Sequence, residues 1–337
     1  MNELEMQQFK PILEIIQQTR VRVERQITHE LIDLYWNIGA YLNEKIQLSG
    51  WGKGTVQQLA AWLLQQHPDL KGFSSSNLWR MRQFFELYNA DPILAPLVRE
   101  LPWSHHLVIM GRCNRPEERQ FYLTMTRQER WTKRELERQI TGCLFERSLT
   151  NPVQASSLLK ATQPNAVQPF RDSYLLEFLG LPDEHSEADL QHGLVNNLKR
   201  FLLELGTGFA FIGESYRVQV GTQDFFIDLL LYHRGLQALV AFELKIDEFK
   251  PAYMGQLEFY LEALDRDHRQ AHEAPSIGVL LCKSADAEVV EYALARSASP
   301  ALVAKYLTQL PDKALLQAKL EEFYALAQHE DSEKVAM

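Results

Sequence analysis

Asp224-Phe225-Phe226-Ile227-Asp228-Leu229-Leu230-Leu231-Tyr232, then His233-Arg234-Gly235, then Leu239 to Phe242-Glu243-Leu244-Lys245, reads as strand, tight turn, strand. Both apolar runs are short and rich in aliphatic and aromatic residues, the pattern of strands covered on two faces. Asp228, Glu243 and Lys245 therefore fall where water is scarce. Side chains alternate across a strand, so Glu243 and Lys245 share one face while Leu244 takes the other.

Glu243 and Lys245 could simply staple the hairpin as a buried ion pair. One partner rarely offsets the desolvation of the other, however, and Asp228 adds a second negative charge for a single lysine. A hard divalent cation would resolve the imbalance. Mg²⁺ takes oxygen ligands, commonly one or two carboxylates, and keeps waters elsewhere. Asp228, Glu243 and the Leu244 carbonyl are the candidate metal ligands. Lys245 would orient, or help deprotonate, a water attacking a phosphodiester.

Working outward, the 337 residues, 46% hydrophobic, suffice for about two domains. No apolar run approaches a membrane span and the start, Met1-Asn2-Glu3-Leu4-Glu5, is acidic, so the expectation is a cytoplasmic protein without membrane contact. Cys113, Cys143 and Cys282 are odd in number and far apart, which fits neither a disulfide framework nor a CxxC zinc site. The net charge of −9 argues against a protein coated in nucleic acid. Its distribution modifies that. Residues 1–150 hold 19 Lys and Arg against 17 Asp and Glu, and 14 of the 19 are Arg, the better bidentate phosphate ligand.

From Phe9 to about Gly50, apolar residues at three- and four-residue steps predict one or two amphipathic helices. Gly50-Trp51-Gly52-Lys53-Gly54 predicts a turn, and residues 55–66 a short helix ended by Pro68. Ser74-Ser75-Ser76 then caps an amphipathic helix carrying Arg80 and Arg82 near its start. Helix, turn and capped helix is how a helix-turn-helix presents base and phosphate contacts. An ordinary helical bundle with solvated arginines has the same pattern. His105-His106 are neighbours on a helix, about 100° apart and without a third ligand, which disfavours zinc. Thr132 and Glu135 form a capping box for a helix through about Phe145, where Arg130, Lys133 and Arg134 make a second candidate phosphate-facing surface.

Residues 151–170, with Pro152, Pro164 and Pro169 among Ser, Gln and Asn, read as a linker. Beyond it Ser186 caps a helix expected to reach Leu205, with Glu187 in the middle of the apolar face and Glu204 about 100° off it. Either is a candidate third acid, Glu187 the better placed. Residues 209–213 and 216–220 read as strands, and a helix to about Leu264 follows Pro251, with Gln256 and Tyr260 on one face. Residues 276–283 are another buried strand, 287–296 a helix and 301–307 a last strand. The expected fold is a helical domain over 1–150, the linker, an α/β domain with a mixed sheet over 171–325, and a flexible tail over 326–337.

Asp228, Glu243-Leu244-Lys245, a preceding helix glutamate and Gln256-x-x-x-Tyr260 resemble the PD-(D/E)XK nuclease signature with the QxxxY motif of RecB-like members. Leu34-Tyr35-Trp36-Asn37-Ile38-Gly39, Trp51-Gly52, Phe73 to Arg82, Leu101-Pro102-Trp103-Ser104-His105-His106 and Ile227-Asp228-Leu229-Leu230 resemble the bacterial YhcG family over nearly the whole chain. The resemblance implies a winged-helix-like N-terminal region and a restriction-endonuclease-like DNA nuclease domain. One departure is Glu214-Ser215, where the family pattern has Arg-Gln after Phe211-Ile212-Gly213.

The function expected from residues and resemblance together is Mg²⁺-dependent DNA hydrolysis, with Mn²⁺ as a substitute ion. Glu187, Asp228, Glu243, Lys245, Gln256 and Tyr260 form the catalytic set. A catalytically silent DNA-binding or scaffolding protein on the same fold is the alternative. RNA is not excluded as a substrate, and a homodimer is the expectation for cutting two strands.

Overall fold

The computed structural model describes residues 3–90, 94–162 and 164–321. The expected tail, 326–337, lies outside them. The chain divides into two compact units, Met1–Ile140 and Thr141–Met337.

Unit one is helical: α1 (Glu3–Ser49), α2 (Lys53–Gln66), α3 (Ser75–Tyr88), α4 (Leu94–Val98), α5 (Trp103–Arg112), α6 (Pro116–Glu129) and α7 (Lys133–Thr141). The periodic run from Phe9 is thus one helix. Its C-terminal half packs on α3, burying Ile32, Tyr35 and Leu42 against Leu78, Met81, Phe84 and Tyr88. Gly39 makes that approach close: a Cβ there would overlap the Met81 carbonyl oxygen. The Ser74 hydroxyl accepts the Asn77 N–H and so starts α3. The connection between α2 and α3 spans residues 67–74, longer than the three or four residues of a helix-turn-helix turn.

Unit two begins earlier than the sequence suggests. The helix expected to run from Thr132 to Phe145 breaks at Cys143, whose φ of 52° is left-handed, and α8 (Leu144–Thr150) follows. Arg147 of α8 donates to the Ser173 carbonyl at 2.9 Å, so this helix belongs to the second unit. The stretch read as a linker is not one. It holds β1 (Gln154–Ala155) and α9 (Ser157–Thr162), and Ala155, Leu159 and Ala166 are buried in the core. Its apolar residues supply the packing, and the buried Ser156 hydroxyl ties the stretch to Ala301, whose N–H it accepts at 3.1 Å.

The remaining elements are β2 (Ser173–Leu175), α10 (Glu187–Asn196), α11 (Leu198–Leu205), β3 (Phe209–Val220), β4 (Gln223–His233), β5 (Ala238–Glu248), α12 (Tyr253–Asp267), β6 (Ile277–Ser284), α13 (Ala287–Ala295) and β7 (Ala301–Leu307). They form a seven-stranded mixed sheet in the order β1-β7-β6-β5-β4-β3, with β2 also on β7. β3, β4 and β5 are antiparallel neighbours, while β5, β6 and β7 run parallel. One face is covered by α10 and α11, which pack Leu190, Leu194, Phe201 and Leu205 over Leu229, Leu231, Phe242 and Leu244. The other is covered by α12 and α13, over Leu230, Ala241, Leu280 and Cys282.

Three local expectations are corrected. The helix from Ser186 is two helices, because Asn197 leaves helical geometry at φ −110° and ψ 29°. The two short strands after Gly206 are one strand, β3, with a register shift between Phe211 and Gly213. The start of β4 is open to solvent, Phe226 being 52% exposed, so two-sided burial begins only near Ile227.

Candidate active site

The β4–β5 ladder ends at Leu229–Phe242, and the next residue on each strand is Asp228 and Glu243. Side-chain alternation puts both on the face of Leu230 and Ala241, the α12 side, together with Lys245. Leu244 points to the opposite face, into the α10–α11 core. The Asp228 carboxylate closes the end of the ladder by accepting the Leu244 backbone N–H at Oδ2, 2.8 Å. Lys245 Nζ lies 2.9 Å from Glu243 Oε1 and 3.5 Å from Glu187 Oε2.

Glu187 is the first residue of α10. The reciprocal Ser186–Asp189 capping box fixes where that helix begins and so where Glu187 projects. Glu204 is elsewhere. Fully buried, it accepts the Leu175 N–H at 2.8 Å and pairs with Arg171 at 3.3 Å. Glu187 is therefore the helix acid beside the lysine, and Glu204 ties α11 to the β2 region.

Burial dominates the electrostatics. It pushes Glu243 up to about 7, and the nearby Asp228 charge pushes further against the opposing pull of Lys245. Asp228 is also raised by desolvation, with the Leu244 N–H and Lys245 working against the shift. For Lys245, burial favours the neutral amine, but the hydrogen bond it donates to Glu243 and the charges of Glu243, Glu187 and Asp228 outweigh it and raise its pKa. Glu243 Oε2 is buried without a hydrogen-bond partner. Two desolvated carboxylates and one ammonium leave an excess of negative charge, and every donor is a hard oxygen. Such a set suits a hard divalent cation.

Gln256 and Tyr260 come together as their spacing requires, Gln256 Nε2 donating to the Tyr260 hydroxyl at 2.9 Å. Neither bonds Lys245. The tyrosine is close enough for the charges of Glu243, Asp228 and Lys245 to act on it, although burial is the main cause of its raised pKa.

Two further residues touch the site. Tyr253 lies with its ring centroid 5.4 Å from Lys245 Nζ, and its hydroxyl is held by both carboxylate oxygens of Asp247. Gln191 donates to the Asp228 carbonyl at 2.8 Å and to Ser215 Oγ at 3.1 Å. The signal for Gln191 was its position four residues after Glu187, on the same helical face. Ser215, at the departure from the family pattern, has a left-handed φ of 43°.

In unit one, Arg80 is exposed on α3, while Arg82 is half-buried, bonded to Glu86 at 2.6 Å and to Asn43 at 3.3 Å. Arg130 ends α6 with φ 51°, and Lys133 and Arg134 are exposed at the start of α7, Lys133 3.7 Å from Glu137. His105 and His106 donate through Nε2 to the carbonyls of Trp131 and Val98, which makes the histidine pair structural. The three cysteines are buried and unbridged. No helix among the described residues is long and apolar enough to cross a membrane.

The sheet with its acid–lysine cluster defines a PDDEXK-type nuclease domain, and residues 167–321 match the family described as the YhcG PDDEXK nuclease domain. Residues 11–147 match the DUF1016 N-terminal domain. The chain belongs to the YhcG family: it is 30% identical to the Escherichia coli (strain K12) protein named "Putative nuclease YhcG", over 93% of this chain and 94% of that one. Among solved structures, a repair endonuclease from Pyrococcus abyssi is similar at 17% identity and a TM-score of 0.26, over 38% of this chain and 49% of its own. An EndoMS–dsDNA complex is similar at 18% identity and a TM-score of 0.27, over 40% and 47%.

Proposed function

We propose that this protein is a cytoplasmic, divalent-cation-dependent nuclease that hydrolyses phosphodiester bonds in DNA, with Mg²⁺ as its ion and Mn²⁺ as a substitute. The observation that carries the reading is Glu243. It is a buried carboxylate with one oxygen on Lys245, the other without a partner, and a second carboxylate beside it. Desolvating that charge is costly unless something binds it.

Asp228 and Glu243 would hold the ion, with the Leu244 carbonyl as a third oxygen. Among the described residues no three His, Cys, Asp or Glu side chains form a closed protein cage. Mg²⁺ held by one or two carboxylates, water and phosphate oxygens needs none. When bound, the ion neutralises phosphate charge and acidifies water.

Lys245, kept protonated by its acidic neighbours, donates to the attacking water or to the phosphate oxygens and offsets the negative charge that develops there. Glu187 helps hold that ammonium in place. The Tyr260 hydroxyl accepts from Gln256, so its own proton is available to a phosphate oxygen. Exposed Arg80, Arg130, Lys133 and Arg134 would contact the DNA backbone, and Arg82 would steady α3 through Asn43 and Glu86.

The test incubates wild-type protein and Lys245→Ala with single-stranded, duplex and branched DNA, and with RNA, in Mg²⁺, in Mn²⁺ and in chelator. The wild type should cut DNA only with a metal ion, and the variant should fold and cut nothing. Equal cleavage by Lys245→Ala, or a wild type inert on every substrate, would refute the proposal. DNA binding without cleavage would identify a scaffolding protein that retains the nuclease fold.

A further inference from the structure

Helix α1 carries two apolar faces. Ile32, Tyr35, Gly39 and Leu42 are buried against the rest of unit one. At 100° per residue, Ile16, Val23, Ile27, Leu34, Tyr41 and Leu48 fall on the opposite side, and all six are exposed, Ile27 by 61% and Leu48 by 78%. Their spacing is regular. Ile16 to Val23 is one heptad, and Ile27, Leu34, Tyr41 and Leu48 repeat every seven residues in register with the first pair. A stripe at a 3.5-residue period is the seam of a left-handed coiled coil, not the core face of a lone helix.

Between Ile12 and Leu31 no described side chain is buried. A helix of that length is marginal by itself in water, and an exposed apolar stripe of this extent marks an interaction surface. The same repeat places three charges on the seam, Arg20, Glu30 and Glu44, of which the first two lie within residues 16 to 34.

Those charges choose the occupant and its direction. In a parallel, in-register pair every seam residue meets its own copy, so Arg20 faces Arg20 and Glu30 faces Glu30. In an antiparallel pair centred on residue 25, Arg20 meets Glu30 of the second copy, twice by symmetry. The same register sets Ile16 against Leu34 and Val23 against Ile27, so every described seam residue from 16 to 34 meets an apolar or oppositely charged neighbour. Moving the centre to residue 32 would still pair Arg20 with an acid, Glu44, but it sets Glu30 against Leu34 and Ile27 against Asn37. A self-complementary surface of this kind is what a two-fold dimer requires.

We infer that two copies of this chain dimerise through an antiparallel coiled coil of their α1 helices, with Arg20 of each opposite Glu30 of the other. The pairing does not depend on whether the protein cuts DNA.

Sedimentation equilibrium on the full chain should give twice the 39.0 kDa chain mass at micromolar concentration. Val23→Asp combined with Ile27→Asp should return it to one chain mass. That variant also removes helix-stabilising contacts, so the charge exchange is the sharper measurement. Arg20→Glu and Glu30→Arg should each raise the dimer dissociation constant by on the order of tenfold, because each sets like charges opposite one another twice. The double variant Arg20→Glu/Glu30→Arg should restore it to near the wild-type value. A monomeric wild type, a dimer indifferent to Arg20→Glu, or a double variant as weak as the singles would overturn the inference.

Discussion

Replacing Gly39 by alanine separates two forces that act in opposite directions. Gly39 is inside α1, where alanine is the better helix former by about 1 kcal/mol. Sterics oppose it. The added Cβ would overlap the Met81 carbonyl oxygen, 2.8 Å from its carbon and 3.0 Å from Phe85 Cβ, where carbon atoms normally rest about 3.5–4.0 Å apart. The obstacle is backbone, which cannot rotate away, so α1 and α3 must part by about 1 Å. That loosens Trp36 from Phe84 and Phe85, whose ring centroids lie 5.7 and 5.1 Å away, and a gap of this size forfeits a quarter to a half of each dispersion contact. Overpacking against a rigid neighbour costs about 3 kcal/mol, and subtracting the propensity gain leaves a net loss of about 2 kcal/mol. For a unit of this size the melting temperature should fall by about 6–10 °C. All six tryptophans lie before residue 141, so tryptophan fluorescence reports unit one alone. Gly54→Ala in α2, where a Cβ meets nothing within 4 Å, is the control and should leave the melt unchanged or raise it. A Gly39→Ala protein melting at or above the wild type would refute the close-approach reasoning.

The two helix acids of unit two should behave oppositely. Glu204→Ala strands Arg171 and the Leu175 N–H in the core and should cost about 3–5 kcal/mol in urea unfolding, while Glu187→Ala, at a half-exposed position, should lower DNA cleavage with stability unchanged within about 0.5 kcal/mol; the reverse pattern would exchange their roles. Burial lowers His106 from 6.5 to about 4, so the unfolded chain takes up the proton first and stability drains away as pH falls between those values, by about 3 kcal/mol at pH 4. His106→Phe keeps the aromatic packing and loses that proton site, so its melting temperature should fall less steeply over the same range; parallel curves for the two proteins would remove His106 as the cause.

Local geometry made part of this molecule legible in advance. Strand alternation puts Glu243 and Lys245 on one face whatever surrounds them, and helix spacing joins Gln256 to Tyr260. Serines at 74 and 186 start their helices because a hydroxyl can take an orphan N–H from within its own segment. Each of these depends on neighbours a few residues away, which a sequence carries explicitly.

Phase and partnership depended on distant atoms. The break at Asn197 rotates α11 relative to α10, so one helical wheel could not rank Glu204, which reaches Arg171 and Leu175 instead of Lys245. The proline-rich stretch after residue 150 looked like a linker because its polar residues outnumber its apolar ones, yet β7 offers an open edge that β1 pairs with. Arg80 and Arg82 look alike in the chain, and besides Glu86 one turn on, the second is held by Asn43, from a helix far earlier in sequence. Burial is the deepest instance: the shift of Glu243 to about 7 comes from the layers packed above and below it. A sequence names the carboxylate, but its desolvation is set by atoms that only folding brings near.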